Sequence, residues 1–410
     1  MSDPYFQELF ADRIGGNQYG KSNDIYKFEK IKRAKAAARK DFPDRELIDF
    51  GIGENDEIAA EGVRQRLKIE VDKPENRGYA DNGIAEYKEA AAAWMKRRLG
   101  VSLDASTQIN HCIGTKPALA IIPALFINPG DITLMTTPGY PVAGTHTSYY
   151  GGEVYSLPLL KENNFLPDLS SIPDAVRNRA KLLVINYPNS PTGALATREF
   201  FEEVVAFAKQ NNVVVVNDAA HINLTFGEKP MSFLSIPGAL DVGVETHSMS
   251  KGWDMIGWRL GFIAGNPLLV QAFSDVKDNT DSGQFIAIQK AGIAALEDDS
   301  ILERNLVKYK RRIDALSVCL AEMGFDATPS GGSYFLYVPS PKGLKSGEKF
   351  ANAEEASQYL IRTHSICTVP WDNAGAYLRF SLTYQAADES AEKAICDSLK
   401  ERLSSIEFVW

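Results

Sequence analysis

Lys251 lies in "ETHSMSKGWDMIGWRLGFIAGN" (245–266), just after Ser248 and Ser250, and Arg259 follows eight residues later in an apolar, glycine-rich run. Two cations with hydroxyls beside the first, and little carboxylate nearby, imply an anion supplied from outside the chain. A lysine partly desolvated near other cations loses its proton readily and can attack an aldehyde. Asp218 closes a run of four valines in "NVVVVNDAAHINL" (212–224). A carboxylate there is costly unless it meets a cation or a strong donor. His221, three residues on, reads by itself as a satisfied core histidine.

Three more loops carry polar residues at predicted strand ends. In "CIGTKPALAIIPALF" (112–126), Gly114, Thr115 and Lys116 precede Pro117 at a predicted first helical position. The free N–H groups and dipole of such a helix start suit a phosphate, although helices that begin this way are common. "TTPGYPVAG" (136–144) holds Tyr140, which serves either as a turn tyrosine or as an aromatic plate for a flat ligand. "INYPNSPTGAL" (185–195), with Asn189 and Ser190, is built of turn formers and is dense enough for a shaped polar rim. Together these supply an amine for an aldehyde, a phosphate cup of Ser248, Arg259, Thr115 and Lys116, a stacking ring, and Asp218 opposite a protonated ring nitrogen. Pyridoxal 5′-phosphate needs all four. No cysteine or histidine spacing makes a metal motif.

The elements that must position these groups are legible as an α/β pattern. Strand-like runs "DITLMTTP", "EVYSLPL", "KLLVINYP", "NVVVVND", "VGVETHS" and "LGFIAGN" alternate with helical runs such as "PALAIIPALFI" and "REFFEEVVAFAKQ". Near-continuous Val/Ile/Leu strands between helices predict a largely parallel sheet covered on both faces, with ligands at its carboxyl edge. "ELIDFGIGEND" (46–56) reads as a short strand and a Gly-rich turn. "GGSYFLYV" and "AYLRFSLT" predict strands of a smaller α+β unit ending in a C-terminal helix. Three pieces are expected: an N-terminal arm and helix (1–45), a large domain (60–290), and a small domain from 46–59 with 291–410. Length agrees, since 410 residues exceed one growing core.

Composition excludes some classes. Hydrophobic content of 44% and charged content of 24% are ordinary for a globular protein, and the formal charge of −9 argues against broad nucleic-acid binding. The basic helix "YKFEKIKRAKAAARKDF" (26–42) is therefore expected to be a packed helix with a solvated face. Four scattered cysteines are expected as buried thiols in a reducing compartment. With no apolar leader and no spanning run, the expected location is cytoplasmic.

The series Gly-Thr-Lys (114–116), Pro-x-Tyr-Pro (138–141), Pro-Asn-Ser-Pro-Thr-Gly (188–193), Asp-x-x-His (218–221), Ser-x-Ser-Lys-x7-Arg (248–259) and Tyr-Leu-Arg-Phe-Ser (377–381) resembles the fold-type I, class I/II aminotransferases. The match holds in order and spacing over nearly the whole chain. The resemblance implies a pyridoxal-phosphate transferase fold with a mostly parallel seven-stranded sheet, and a homodimer whose sites lie at the subunit interface. It gives Lys251 the aldehyde and the proton transfer, Asp218 the ring nitrogen, and Tyr140 the ring face. Gly114, Thr115, Lys116, Ser248, Ser250 and Arg259 take the phosphate, with Tyr79 reaching it from a second subunit. Arg379 would clamp the substrate carboxylate beside Gly53, and Tyr26 and Asn279 would line the pocket.

"GIGENDE" and "NRGYADNGIAEYKEA" further resemble the branch acting on LL-2,6-diaminopimelate. That implies glutamate and 2-oxoglutarate as the second pair, a ping-pong cycle, and a place in lysine and cell-wall precursor synthesis. Asp81 and Asn82 are candidates for the substrate's distal end. Two departures stand out: Ser190 replaces the family's usual Asn and His221 its usual Tyr, and an imidazole can change charge near neutrality. The rivals are another aminotransferase or a β-lyase on the same scaffold, and a non-catalytic regulator domain.

Overall fold

Val/Ile/Leu runs buried on both faces must pair their backbones with one another. In the computed structural model, which describes residues 4–21 and 27–410, they form one seven-stranded sheet. Its strands are β1 (Ile109–Cys112), β2 (Ile132–Thr137), β3 (Glu153–Pro158), β4 (Ala180–Ile185), β5 (Val214–Asp218), β6 (Gly243–Ser248) and β7 (Gly261–Gly265). They lie in the order β1-β7-β6-β5-β4-β2-β3. The pairings are parallel except for β7, which runs antiparallel to both β6 and β1. Apolar patterning does not encode strand direction, so this reversal was not legible in the sequence. It matters for function: β7 begins at the edge where the parallel strands end. Gly261 pairs with both Ser248 and Cys112, so Arg259 arrives beside Gly114 and Lys251.

Successive side chains alternate between two cores. Leu183 and Val215 face helices Ala85–Trp94, Arg198–Asn211 and Ile286–Glu297, and Val184 and Val216 face Thr115–Phe126, Val142–Tyr149 and Pro267–Asp278. A third core joins β8 (Phe335–Pro339) and β10 (Tyr377–Ser381) to the long helix Asp299–Glu322 and to Glu389–Leu403. β9 (Val369–Trp371) completes that sheet, in the order β9-β10-β8. The chain does not end on its last helix as expected, because Phe408–Val409 pairs antiparallel with Gly343–Leu344. The strand expected in "ELIDFGIGEND" is reduced to Ile48–Asp49, parallel to Ile366–Cys367. Helix Lys27–Asp41 buries Ile31, Ala34 and Ala38 against Ile361, Cys367 and Val369, which leaves most of its basic residues toward solvent. Cys112, Cys319, Cys367 and Cys396 are free and buried. Among the described residues no helix is long and apolar enough to cross a membrane.

A buried charge network ties loop 51–57 to the third core. Arg312, 1% exposed, pairs with Asp56 at 3.0 Å and Glu392 at 2.7 Å and donates to the carbonyls of Leu382 and Tyr384. Lys308 adds bonds to Asp56 and Glu57. Removing one member of such a network leaves the others charged and dry. Arg312→Ala is therefore expected to lower unfolding free energy by about 3–5 kcal/mol in a denaturant titration. Lys345→Ala, which breaks the exposed Lys345–Glu407 pair, should leave it almost unchanged. Equal, small effects would mean the network does not fix the loop.

Candidate active site

Lys251 follows β6 in the short helix Met249–Gly252, which Ser248 caps by accepting from the Ser250 N–H at 3.1 Å. Its backbone is held from outside: the Asn55 side chain donates to the Lys251 carbonyl at 2.8 Å and also bonds Asp254. Asn305 in turn donates to the Gly252 carbonyl and to Asp254. The Nζ donates to the Gly53 carbonyl at 3.0 Å and lies 5.3 Å from the Tyr334 ring centroid. The Tyr334 hydroxyl donates to that same carbonyl at 3.0 Å. Burial, then the charges of Arg379 and Arg259, lower the Lys251 amine to about 8, against the opposing pull of Glu54 and Asp218.

Arg379 comes from β10. It is 7% exposed, stacks over Phe335 at 4.1 Å and donates to the Gly51 carbonyl at 3.2 Å. Its Nε has no acceptor, and no carboxylate pairs with it among the described residues. Burial lowers it to about 10. A β-carbon at Gly53 would stand 4.0 Å from this guanidinium, so the glycine leaves room beside it. A dry arginine without a counter-ion is costly by several kcal/mol, and an incoming carboxylate would relieve that cost.

Arg259 adopts φ +55° and donates to Ser250 Oγ at 3.2 Å and to the Ile256 carbonyl at 2.9 Å. It has no carboxylate partner among the described residues. Gly114 adopts φ +78°, which strains any side chain, and a β-carbon would lie 2.3 Å from the Arg259 guanidinium and displace it. Helix Thr115–Phe126 starts at this point with no side-chain cap, so its first N–H groups face the same cup. Thr115, Ser248 and Ser250 are buried there, whereas Lys116 is exposed.

Asp218 is 5% exposed and has no cation in contact among the described residues. It accepts from the Ala220 N–H at 3.2 Å and from Thr246 at 3.4 Å, and burial raises it to about 6. His221 Nδ1 meets the Ser333 hydroxyl at 3.0 Å. Burial and the charges of Lys251 and Arg379 hold this imidazole near 3, so the expected change of charge near neutrality is corrected: His221 is neutral. Asn186 draws the 185–195 loop onto β5, accepting from the Ser190 N–H and donating to the Asp218 carbonyl. Asn189 accepts from Thr192, and its buried Nδ2 has no acceptor among the described residues.

Other predicted residues fall elsewhere. Tyr140 is 43% exposed at the carboxyl edge. Tyr79 is 86% exposed, beside Asp81 and Asn82. Lys277 holds the Asp81 carbonyl, and Asn82 bonds Asp278 at 2.6 Å, next to Asn279, whose amide caps its own helix. None of these residues makes a hydrogen bond to Lys251 among the described residues. Tyr26 lies outside the described residues. Sequence reasoning missed Tyr334, Asn55, Asn186 and Ser333. Tyr334 had one signal, a tyrosine directly after Gly-Gly-Ser at a strand start; the others looked like ordinary loop residues.

Comparison with known proteins agrees with this geometry. The family model "Aminotransferase class I and II" matches residues 45–396. An LL-diaminopimelate aminotransferase of Methanococcus maripaludis is 52% identical and covers 100% of both chains. The protein of that name from Methanocaldococcus jannaschii is 53% identical over 99% of each. Substrate-bound BacF of Bacillus subtilis superposes with a TM-score of 0.86 at 29% identity, over 98% of this chain and 99% of its own. A Thermus thermophilus aspartate aminotransferase variant, 22% identical, shares the fold with a TM-score of 0.83 over 96% and 99%. An amine of lowered basicity and two arginines without a carboxylate partner among the described residues, together with a family match over most of the length, lead to one conclusion: the chain belongs to the class I and II aminotransferases.

Proposed function

We propose that this enzyme exchanges an amino group between LL-2,6-diaminopimelate and 2-oxoglutarate, with pyridoxal 5′-phosphate held at Lys251. The physiological direction in this reading consumes tetrahydrodipicolinate and glutamate. The observation that carries the reading is the set Lys251, Arg259 and Arg379, three cations at one edge with no carboxylate partner among the described residues. The residues fit the cofactor. Among the described residues Asp218 is a buried carboxylate without a cation in contact, Arg259 beside the Gly114 turn and an uncapped helix start has no carboxylate partner, and Lys251 is an amine of lowered basicity. The substrate assignment rests on the two near-full-length relatives at 52% and 53% identity.

In this role the bound cofactor supplies an aldehyde and an electron sink for the substrate's α-carbon. Ser248, Ser250, Thr115, Arg259 and the backbone at 114–116 would hold its phosphate, Asp218 its ring nitrogen and Tyr140 its face. Arg379 binds the substrate carboxylate in a two-pronged pair and so aims the α-hydrogen toward Lys251. The Lys251 amine would be the base that takes this proton from the α-carbon and holds it for return. The Gly53 carbonyl, fixed by Tyr334, keeps that amine within the pocket. Tyr79, exposed on this subunit, would complete the phosphate cup of a second subunit, so a homodimer belongs to the reading. The cytoplasm is the proposed location.

Half-reaction spectra test the reaction class and substrate together. LL-diaminopimelate and glutamate should each convert the cofactor fully to its amine form, with the meso isomer, lysine, aspartate and alanine far slower. Release of keto acid with return of the aldehyde form would instead mark a lyase. Arg379→Ala should reduce kcat/KM for both diaminopimelate and glutamate by about 2–5 kcal/mol of lost transition-state binding. An unchanged kcat/KM for both would remove it from the site. Capture of the aldehyde requires the neutral amine, and Asp218 is charged above about 6. With Lys251 lowered to about 8, the capture rate of the unloaded protein should climb roughly tenfold per pH unit and flatten above about 8. A rate still climbing at about pH 10 would indicate an ordinary lysine.

A further inference from the structure

His221 stands where this family usually carries a tyrosine, and its surroundings define which ring edge is left for a ligand. The segment after β5 is zipped to the approach of β8: Ser333 N–H donates to the Leu224 carbonyl at 2.8 Å and Phe226 N–H to the Gly331 carbonyl at 2.7 Å. This places Ser333, a non-glycine residue at φ +65°, with its hydroxyl 3.0 Å from His221 Nδ1. The Tyr334 and Phe335 rings pack on the imidazole at 5.4 and 5.9 Å. Tyr334 is the residue that shares the Gly53 carbonyl with Lys251.

The hydroxyl decides the tautomer. Ser333 is 0% exposed, and Nδ1 is the acceptor its hydroxyl meets among the described residues. If Nδ1 carried the hydrogen, the serine hydrogen would itself be buried without an acceptor, which is unfavourable. The charged groups around the ring, Lys251 and Arg379, are both cations and favour the neutral imidazole, which has a single N–H. Nε2 makes no hydrogen bond among the described residues.

We infer that Ser333 is a positioning residue: its hydroxyl donates to Nδ1 of His221 and so keeps the ring hydrogen on Nε2, where it can donate to the ionised 3-oxygen of the cofactor ring. The inference deepens the proposed function and rests on it. It also explains how an imidazole takes over a phenol's place. A neutral histidine offers one donor, and without Ser333 nothing keeps that donor on the edge facing the ligand. Ser333 touches neither substrate nor cofactor in this account and acts through His221.

Ser333→Gly is the informative variant, because glycine accepts φ +65° without strain and the loss is confined to the hydroxymethyl group that reaches Nδ1. Nitrogen-15 spectra of histidine-labelled, full-length protein before cofactor is added should show His221 with a bare Nδ1 and a protonated Nε2. The opposite tautomer overturns the inference. In the loaded enzyme, weaker donation to the ring oxygen makes the chromophore more basic. The pH midpoint of its visible absorption should therefore rise by about one unit in Ser333→Gly. The same change made in a His221→Tyr background should leave that midpoint in place, since a phenol carries its own fixed donor. An unmoved midpoint in the single variant, or an equal shift in both backgrounds, overturns the inference. A chain that takes up no pyridoxal phosphate at all refutes the proposed function instead, and the nitrogen-15 spectrum still decides the tautomer.

Discussion

Cationic charge without a carboxylate partner is the constraint around which this molecule is organised. Lys251, Arg259 and Arg379 meet at the carboxyl edge of one sheet, and none has a carboxylate partner among the described residues. Neutral carbonyls and hydroxyls at Gly51, Gly53, Ser250 and Ile256 tether them without cancelling their charge. One buried carboxylate, Asp218, faces the same space without a cation in contact. Such an arrangement is unfavourable in the bare chain, and it persists because the surrounding cores and hydrogen bonds are strong enough to impose it. A ligand with a phosphate, a carboxylate and a protonated ring would relieve each charge in turn.

What imposes it is a set of ties between the two sheets. Loop 51–57 carries the carbonyl that holds Lys251, and Asp56 anchors that loop to Arg312 and Lys308 on the long helix. Asn55 and Asn305 fix the turn on the other side of the lysine. Strand reversal at β7 brings Arg259 to the edge, and the absence of a side chain at Gly114 lets it lie flat against the helix start. Chemistry at one amine thus depends on residues from four separate stretches of sequence.

Much of this was legible beforehand. Six runs of β-branched and aliphatic residues predicted six of the sheet's strands, and hydroxyl–lysine–arginine spacing after β6 predicted that Ser248, Ser250 and Arg259 gather beside Lys251. These signals are local, so sequence carries them. Direction of β7, the pairing of the last residues with 343–344, and the shortness of the strand at 48–49 depend on partners far away in the chain. The same holds for Tyr334 and Ser333: their roles come from which carbonyl or imidazole they meet. His221 illustrates the limit best. Its ordinary titration range suggested a charge change near neutrality, and burial beside two cations removes it.

Reduction of the pyridoxal-phosphate-loaded protein with borohydride, followed by peptide mapping, tests the central claim most directly. The account predicts one phosphopyridoxyl group per chain, fixed on Lys251. A stable label on another lysine, such as Lys116 or Lys27, or no label at all, would contradict it.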